Sequence, residues 1–154
     1  MSTAHTGGCL CGAIRYRLDE APVAFYACHC TDCQRQTGSA FGLSMIVRRE
    51  ALALVQGEPR SYDVTLPDGR SKRGRFCDRC AARVWGEPVR FPQVRVLRPG
   101  TLDDPGAFEP FGHIWTRSRR PWVSIPPGQP CFEGQPEDPL ALVRAWRERH
   151  PGRE

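Results

Sequence analysis

Seven of the eight cysteines in this chain fall into three tight clusters: Cys9 with Cys11, Cys28 with Cys30 and Cys33, and Cys77 with Cys80. Thiolates at these spacings hold zinc or iron–sulfur groups, or act as redox pairs. The compartment decides first between these chemistries. The N-terminal residues 1–8 have no charged stretch ahead of an apolar run, so no export signal is expected. The longest apolar run is far short of a membrane span. The expected location is therefore the cytoplasm, where clustered cysteines read as metal ligands rather than disulfides.

Cys9, Cys11, Cys77 and Cys80 form a natural tetrahedral set, two pairs placed at the ends of expected strands. One zinc ion clipping them would tie the N-terminal strand to the middle of the chain, with binding on the order of 10 kcal/mol. The competing reading, two disulfides or buried free thiols, is disfavoured in a reducing compartment. Cys28, Cys30 and Cys33 are then an odd set of three, and three protein ligands with an open fourth position is the pattern of a catalytic zinc. His29 lies inside this cluster. It could complete a closed structural ion. In an extended segment, however, its side chain points away from Cys28 and Cys30, which places it beside the ligands or towards a substrate. An iron–sulfur cluster would want a fourth cysteine. Cys131 stands alone and reads as a small apolar side chain without an assigned role.

The elements that must position these residues are mostly short strands. At 154 residues one domain is expected, able to bury roughly 70% of its unfolded surface without cross-links. Ile14, Tyr16 and Leu18 alternate with Arg15 and Arg17, the period of a half-buried strand. Residues 23–27 form a second strand that delivers the chain to Cys28. Thr31 and Gln34 match a capping box, predicting a short helix over about 32–37 stopped by Gly38. That helix start favours thiolate in the cysteines around it. Further strands are expected at 40–47, 51–55, 82–85, 94–97, 111–115 and 122–125. A hairpin is expected over 61–66 and 71–76, turning at Pro67-Asp68-Gly69. Asp138, Pro139 and the apolar positions Leu140, Leu142, Val143 and Trp146 predict a C-terminal helix ending before Pro151. The pattern is mainly β: antiparallel sheets with short helices, a domain over 1–136 and a helix over 137–154 packed on it.

The net charge is +5, and Lys72 is the only lysine among the 22 basic residues. The densest basic stretch is Arg70, Lys72, Arg73, Arg75, Arg79 and Arg83. It supports an alternative reading of a zinc-ribbon-like binding module for nucleic acid or a protein partner, without catalysis. The odd cysteine count at 28–33 argues against it, because a purely structural ribbon has no use for an open position. A second arginine-dense segment, Thr116-Arg117-Ser118-Arg119-Arg120-Pro121, lies between Trp115 and Trp122. It reads either as an anion-binding loop beside aromatic walls or as core tryptophans bracketing a solvated turn.

Taken together, Gly8-Cys9-Leu10-Cys11-Gly12-Ala13-Ile14-Arg15-Tyr16, Cys28-His29-Cys30-Thr31-Asp32-Cys33-Gln34-Arg35 with Gly38, and Phe76-Cys77-Asp78-Arg79-Cys80 resemble the glutathione-dependent formaldehyde-activating enzyme (GFA) family, which includes centromere protein V. His113-Ile114-Trp115 and Pro121-Trp122-Val123 resemble its C-terminal segment, so the resemblance covers roughly residues 7–135. It implies a β-tent of antiparallel sheets with two Zn2+ sites: a structural ion on Cys9, Cys11, Cys77 and Cys80, and a catalytic ion on Cys28, Cys30 and Cys33 whose occupancy is open. It implies a carbon–sulfur lyase-type activity like that of S-(hydroxymethyl)glutathione synthase, which joins glutathione to formaldehyde. The expected partners are then a small thiol such as glutathione and an aldehyde, with no membrane and no nucleic acid; a homo-oligomer stays open. Candidate substrate contacts are His29, Arg35 and Arg117. The chain departs from the family at Ala81, where glycine usually follows the last cysteine.

Overall fold

The computed structural model describes residues 4–152. In chain order the first strands are β1 (His5–Gly8), β2 (Arg15–Leu18) and β3 (Ala24–Cys28), followed by helix α1 (Thr31–Thr37). Then come β4 (Gly42–Arg48), β5 (Leu52–Gln56), β6 (Arg60–Thr65), β7 (Ser71–Phe76), β8 (Arg83–Pro88), β9 (Val94–Leu97) and β10 (His113–Ile114). Helix α2 (Ala141–Arg149) follows. The described residues divide into two compact units: 4–22 with 45–108, and 23–44 with 109–152. β4 starts in the second unit and enters the first at Met45.

In the first unit β1, β2 and β5 form an antiparallel three-stranded sheet. The alternation read from residues 14–18 holds: Ile14, Tyr16 and Leu18 are buried while Arg17 is exposed. β1 was not expected, because His5-Thr6-Gly7-Gly8 carries no apolar alternation. Its glycines explain why: a Cβ on Gly7 would stand 2.3 Å from the Tyr16 hydroxyl and 2.4 Å from the Thr101 carbonyl oxygen. Tyr16 crosses the strand at that spot to share a 2.8 Å hydrogen bond with the Thr101 hydroxyl, so the position admits no side chain. From Met45 onward β4 pairs antiparallel with β9, and β9, β8, β7 and β6 continue as an antiparallel series. The β6–β7 turn is the expected one. Leu66 and Arg70 close it through a 2.8 Å backbone bond, and Gly69 sits at φ 83°.

In the second unit β10 pairs parallel with β3, bringing Ile114 opposite Cys28. α2 packs on β3 through Trp146, which is 2% exposed and lies 6.2 Å from the Phe25 ring. Asp138 caps the entrance to α2, its carboxylate accepting from Leu140 N at 2.9 Å. The helix proper begins two residues later than its capping residues suggested, after a turn through Pro139 and Leu140. One expected strand is absent: a turn at 121–122, closed by Val123 N donating to the Arg120 carbonyl at 3.0 Å, leads into irregular chain over 123–125. Pro121 on one side and Pro126-Pro127 on the other remove the donors a ladder would need, and Trp122 is left 75% exposed. Among the described residues no helix is long and apolar enough to cross a membrane.

Candidate metal centres

The first cluster is built by two knuckles of the first unit. After β1, Cys9 N donates to Ile14 O and Gly12 N to Cys9 O, both at 3.1 Å, folding residues 9–14 into a tight turn with Gly12 at φ 78°. Ile14 N then donates to Cys9 Sγ at 3.2 Å. After β7, Cys77 N donates to Ala82 O at 2.9 Å and Ala81 N to Cys77 O at 2.8 Å. The Sγ atoms of Cys9, Cys11, Cys77 and Cys80 lie within 4.8 Å of one another, with Cys9–Cys11 at 3.6 Å and Cys11–Cys77 at 3.7 Å. Four sulfurs about 2.3 Å from one tetrahedral ion stand about 3.8 Å apart, so the set fits a closed metal site. Backbone N–H groups of Ala82 and Cys11 hold the Cys80 thiol down at about 6, which favours the thiolate form a metal needs. Cys9 and Cys77 are buried, while Cys11 and the neighbouring Leu10 are exposed at the tip of the first knuckle.

Ala81 stands where the family resemblance implies glycine, and its backbone gives a physical reason. It sits at φ 59°, in the left-handed region, because the second knuckle must reverse there to return the chain to β8. An L side chain in that region costs roughly 1–2 kcal/mol, part of which glycine gives back through its freer unfolded chain. Ala81→Gly is therefore expected to raise stability by roughly 0.5–1 kcal/mol, read as a higher denaturant midpoint with unchanged slope. A lower midpoint would contradict this account of the knuckle.

The second cluster belongs to the second unit. Cys28 ends β3, Cys30 is the N-cap of α1, and Cys33 lies in its first turn. The capping box expected from Thr31 and Gln34 is not formed. Cys30 Sγ takes the cap role instead, accepting from Cys33 N at 3.3 Å. Gln34 turns inward, its amide donating to the carbonyls of His29 (2.8 Å) and Ser118 (3.0 Å). The helix stops as expected, with Gly38 at φ 63° returning its N–H to Gln34 O. The Sγ atoms of Cys28, Cys30 and Cys33 lie within 4.8 Å of one another, Cys28–Cys30 at 3.5 Å. Among the described residues no fourth His, Cys, Asp or Glu joins this group. Hydrogen bonds from Cys28 and Cys33, with N–H groups at the helix start, pull the Cys30 thiol far below the ordinary range. Hydrogen bonding to Cys30 and Cys33, then burial, pushes Cys28 far above it. Of these two thiols Cys30 is the one whose surroundings favour the thiolate. Soft, convergent sulfurs at these distances fit a metal ion with three protein ligands.

The other candidate residues separate. His29 is 0% exposed, so it presents no ring surface to a substrate, and it is not among the convergent ligands. Its neighbours in an alternating segment face the cluster, and its ring is turned to Phe41 and His113. Arg35, in the last turn of α1, and Arg117 are exposed and enter no ion pair among the described residues. Arg117 stacks over Trp115 with its Cζ 4.6 Å from the ring centre, and Trp115 holds a left-handed φ of 58°. Ser118, the next residue along, donates its hydroxyl to His29 O at 3.0 Å. Ser118 and Gln129 were missed as supports of this site, because single polar residues in loops carry no period, and Gln34 had been given a capping role instead.

The basic stretch of the β6–β8 region is largely neutralised in place. Arg70 pairs with Asp68, Arg73 with Asp63 and Arg75 with Glu87, and Arg83 stacks over Tyr62. Carboxylates in the turn and on neighbouring strands thus pair with three of the six basic residues of this stretch, charge a phosphate backbone would need.

The family described as glutathione-dependent formaldehyde-activating enzyme matches this chain over residues 4–118. A protein of Halomonas elongata, provisionally named a glutathione-dependent formaldehyde-activating enzyme, is 27% identical over 142 residues, covering 88% of this chain and 90% of its own. The crystal structure of a Rhodobacter sphaeroides protein shares the fold at a TM-score of 0.52 and 16% identity, covering 82% of this chain and 98% of its own. The match spans both cysteine knuckles, the three-cysteine segment and β10, and the chain belongs to the glutathione-dependent formaldehyde-activating enzyme family.

Proposed function

We propose that this chain is a carbon–sulfur lyase-type enzyme acting on the adduct of a small thiol and an aldehyde, like S-(hydroxymethyl)glutathione synthase, with zinc as its metal. The observation that carries this reading is the three-sulfur group of Cys28, Cys30 and Cys33, to which no fourth protein ligand is added among the described residues. A site meant only to hold the fold would be closed, as the four-sulfur group is. Family membership and the named relative support the same chemistry.

Cys28, Cys30 and Cys33 would hold the catalytic zinc, and Cys9, Cys11, Cys77 and Cys80 the structural one. Bound at the three-cysteine site, zinc supplies Lewis acidity, which lowers the proton affinity of a thiol or polarises an aldehyde oxygen. In the reaction a carbon–sulfur bond forms between the thiol sulfur and the aldehyde carbon. The thiol proton ends on the new hydroxyl. α1 begins at this spot, so its free N–H groups stabilise the anionic sulfurs. Arg35 and Arg117, exposed and in no ion pair among the described residues, are suited to hold the carboxylates of glutathione.

The test is adduct formation from glutathione and formaldehyde, followed by NMR with zinc-loaded protein. Acceleration above the spontaneous rate, proportional to protein concentration, is expected. A rate equal to the spontaneous one, with glutathione and with other small thiols, would overturn the proposal.

A further inference from the structure

His29, although neither a convergent ligand nor exposed, is held more tightly than any ligand of the second cluster. Its N–H donates to Ile114 O at 3.0 Å. Its carbonyl accepts from Gln34 Nε2 at 2.8 Å and from Ser118 Oγ at 3.0 Å. Its ring nitrogen Nε2 lies 2.9 Å from Nδ1 of His113, in a buried pair. Nε2 of His113 in turn lies 3.0 Å from Oε1 of Gln129. The same Oε1 accepts from Gly112 N at 3.3 Å. Nδ1 of His29 is buried and has no hydrogen-bond partner among the described residues.

The directions of these bonds follow from donor and acceptor chemistry. Gly112 N–H can only donate, so the Gln129 atom facing it is the carbonyl oxygen, and that oxygen can only accept. The proton of His113 is therefore on Nε2. Both rings are buried and no carboxylate forms a hydrogen bond with either, so a charged ring is disfavoured. A neutral His113 with its proton on Nε2 has an acceptor at Nδ1. His29 must then donate from Nε2, leaving a lone pair on Nδ1.

We infer that Gln129 and His113 are positioning residues for the three-cysteine site: Gln129 fixes the tautomer of His113, and His113 that of His29. The locked imidazole pins the backbone between Cys28 and Cys30 and keeps Nδ1 as its single free acceptor. The relay runs outward from the cluster to an open cleft of about 540 Å3 lined by Gln129, Pro130 and Glu148. Gln129 is only half buried, so its substitution leaves the core of the second unit intact. Outer partners of this kind typically change metal affinity 10–100-fold. The inference rests on the proposed function only in taking the trio as a metal site.

The experiment uses the full chain, nitrogen-15 labelled at histidine, with two readouts. Long-range proton–nitrogen correlation reads the tautomers, and chelator competition reads affinity for the second equivalent of zinc. In the parent protein His29 and His113 are both expected to be neutral with the proton on Nε2. Gln129→Leu removes the acceptor, so His113 is expected to mix tautomers and second-site affinity to fall 10–100-fold. Gln129→Glu keeps an acceptor and is expected to preserve the Nε2–H pattern and the affinity within a few-fold. A proton on Nδ1 of His29 in the parent, or unchanged tautomers and affinity in Gln129→Leu, would overturn the relay. Absence of a second zinc equivalent in the parent would instead overturn the metal reading, and the tautomers would still be read.

Discussion

A Cys77→Ser chain is expected to lose the fold of the first compact unit at room temperature. Cys77 is buried where β7 ends, and its backbone bond to Ala82 starts the second knuckle. Its sulfur is 3.7 Å from that of Cys11, a residue 66 positions earlier. Four such thiolates on zinc contribute about 10–16 kcal/mol of binding that is also folding free energy. The whole stability of a domain is about 5–15 kcal/mol. Losing even half of the binding is therefore as large as the stability itself. Serine offers a poor ligand at a buried position. Far-UV circular dichroism with denaturant titration checks this: the parent should unfold cooperatively at a midpoint that chelation lowers, and the variant should lack that transition. An unchanged midpoint in the variant would show that the four sulfurs do not clip the fold.

Cys30→Ser is expected to do the opposite: keep the fold and lose the reaction. Serine is a better N-cap than cysteine, and its hydroxyl can accept the Cys33 N–H that Cys30 Sγ now takes. The second unit should therefore stay folded, its core of Phe25, Leu142 and Trp146 untouched. One of the three convergent sulfurs is gone, however, and the two that remain are a weak metal site. Adduct formation should fall to the spontaneous rate, with circular dichroism and unfolding close to the parent. Full activity in this variant would remove the three-cysteine site from the reaction.

Much of this arrangement was legible before any coordinates. The strands carrying Ile14, Tyr16 and Leu18, the hairpin at Gly69 and the stop at Gly38 follow from local chemistry that tertiary packing does not override. The two sulfur groups were the grouping that spacing favoured over disulfides, and the side chains converge in those two sets. What was not legible depends on contacts distant in sequence. β1 is defined by the room its glycines leave for Tyr16 and Thr101 rather than by any pattern of its own. The residues 122–125 read as a strand by composition, yet the prolines on both sides deny it a partner. Gln34 looked like half of a capping box, but the Ser118 carbonyl, 84 residues away, competes for its amide. His29 was expected beside the ligands or towards a substrate, because an extended segment turns it away from Cys28 and Cys30. Its burial against His113 gives it a different task.

Counting metal per chain tests the account most directly. Elemental analysis of the protein purified with zinc, beside protein concentration from amino-acid analysis, should give two equivalents for the parent and one for Cys30→Ser. The equivalent that remains in the variant should resist chelators that strip the other. One equivalent in the parent that is retained in full by Cys30→Ser would contradict a second, open metal site at Cys28, Cys30 and Cys33.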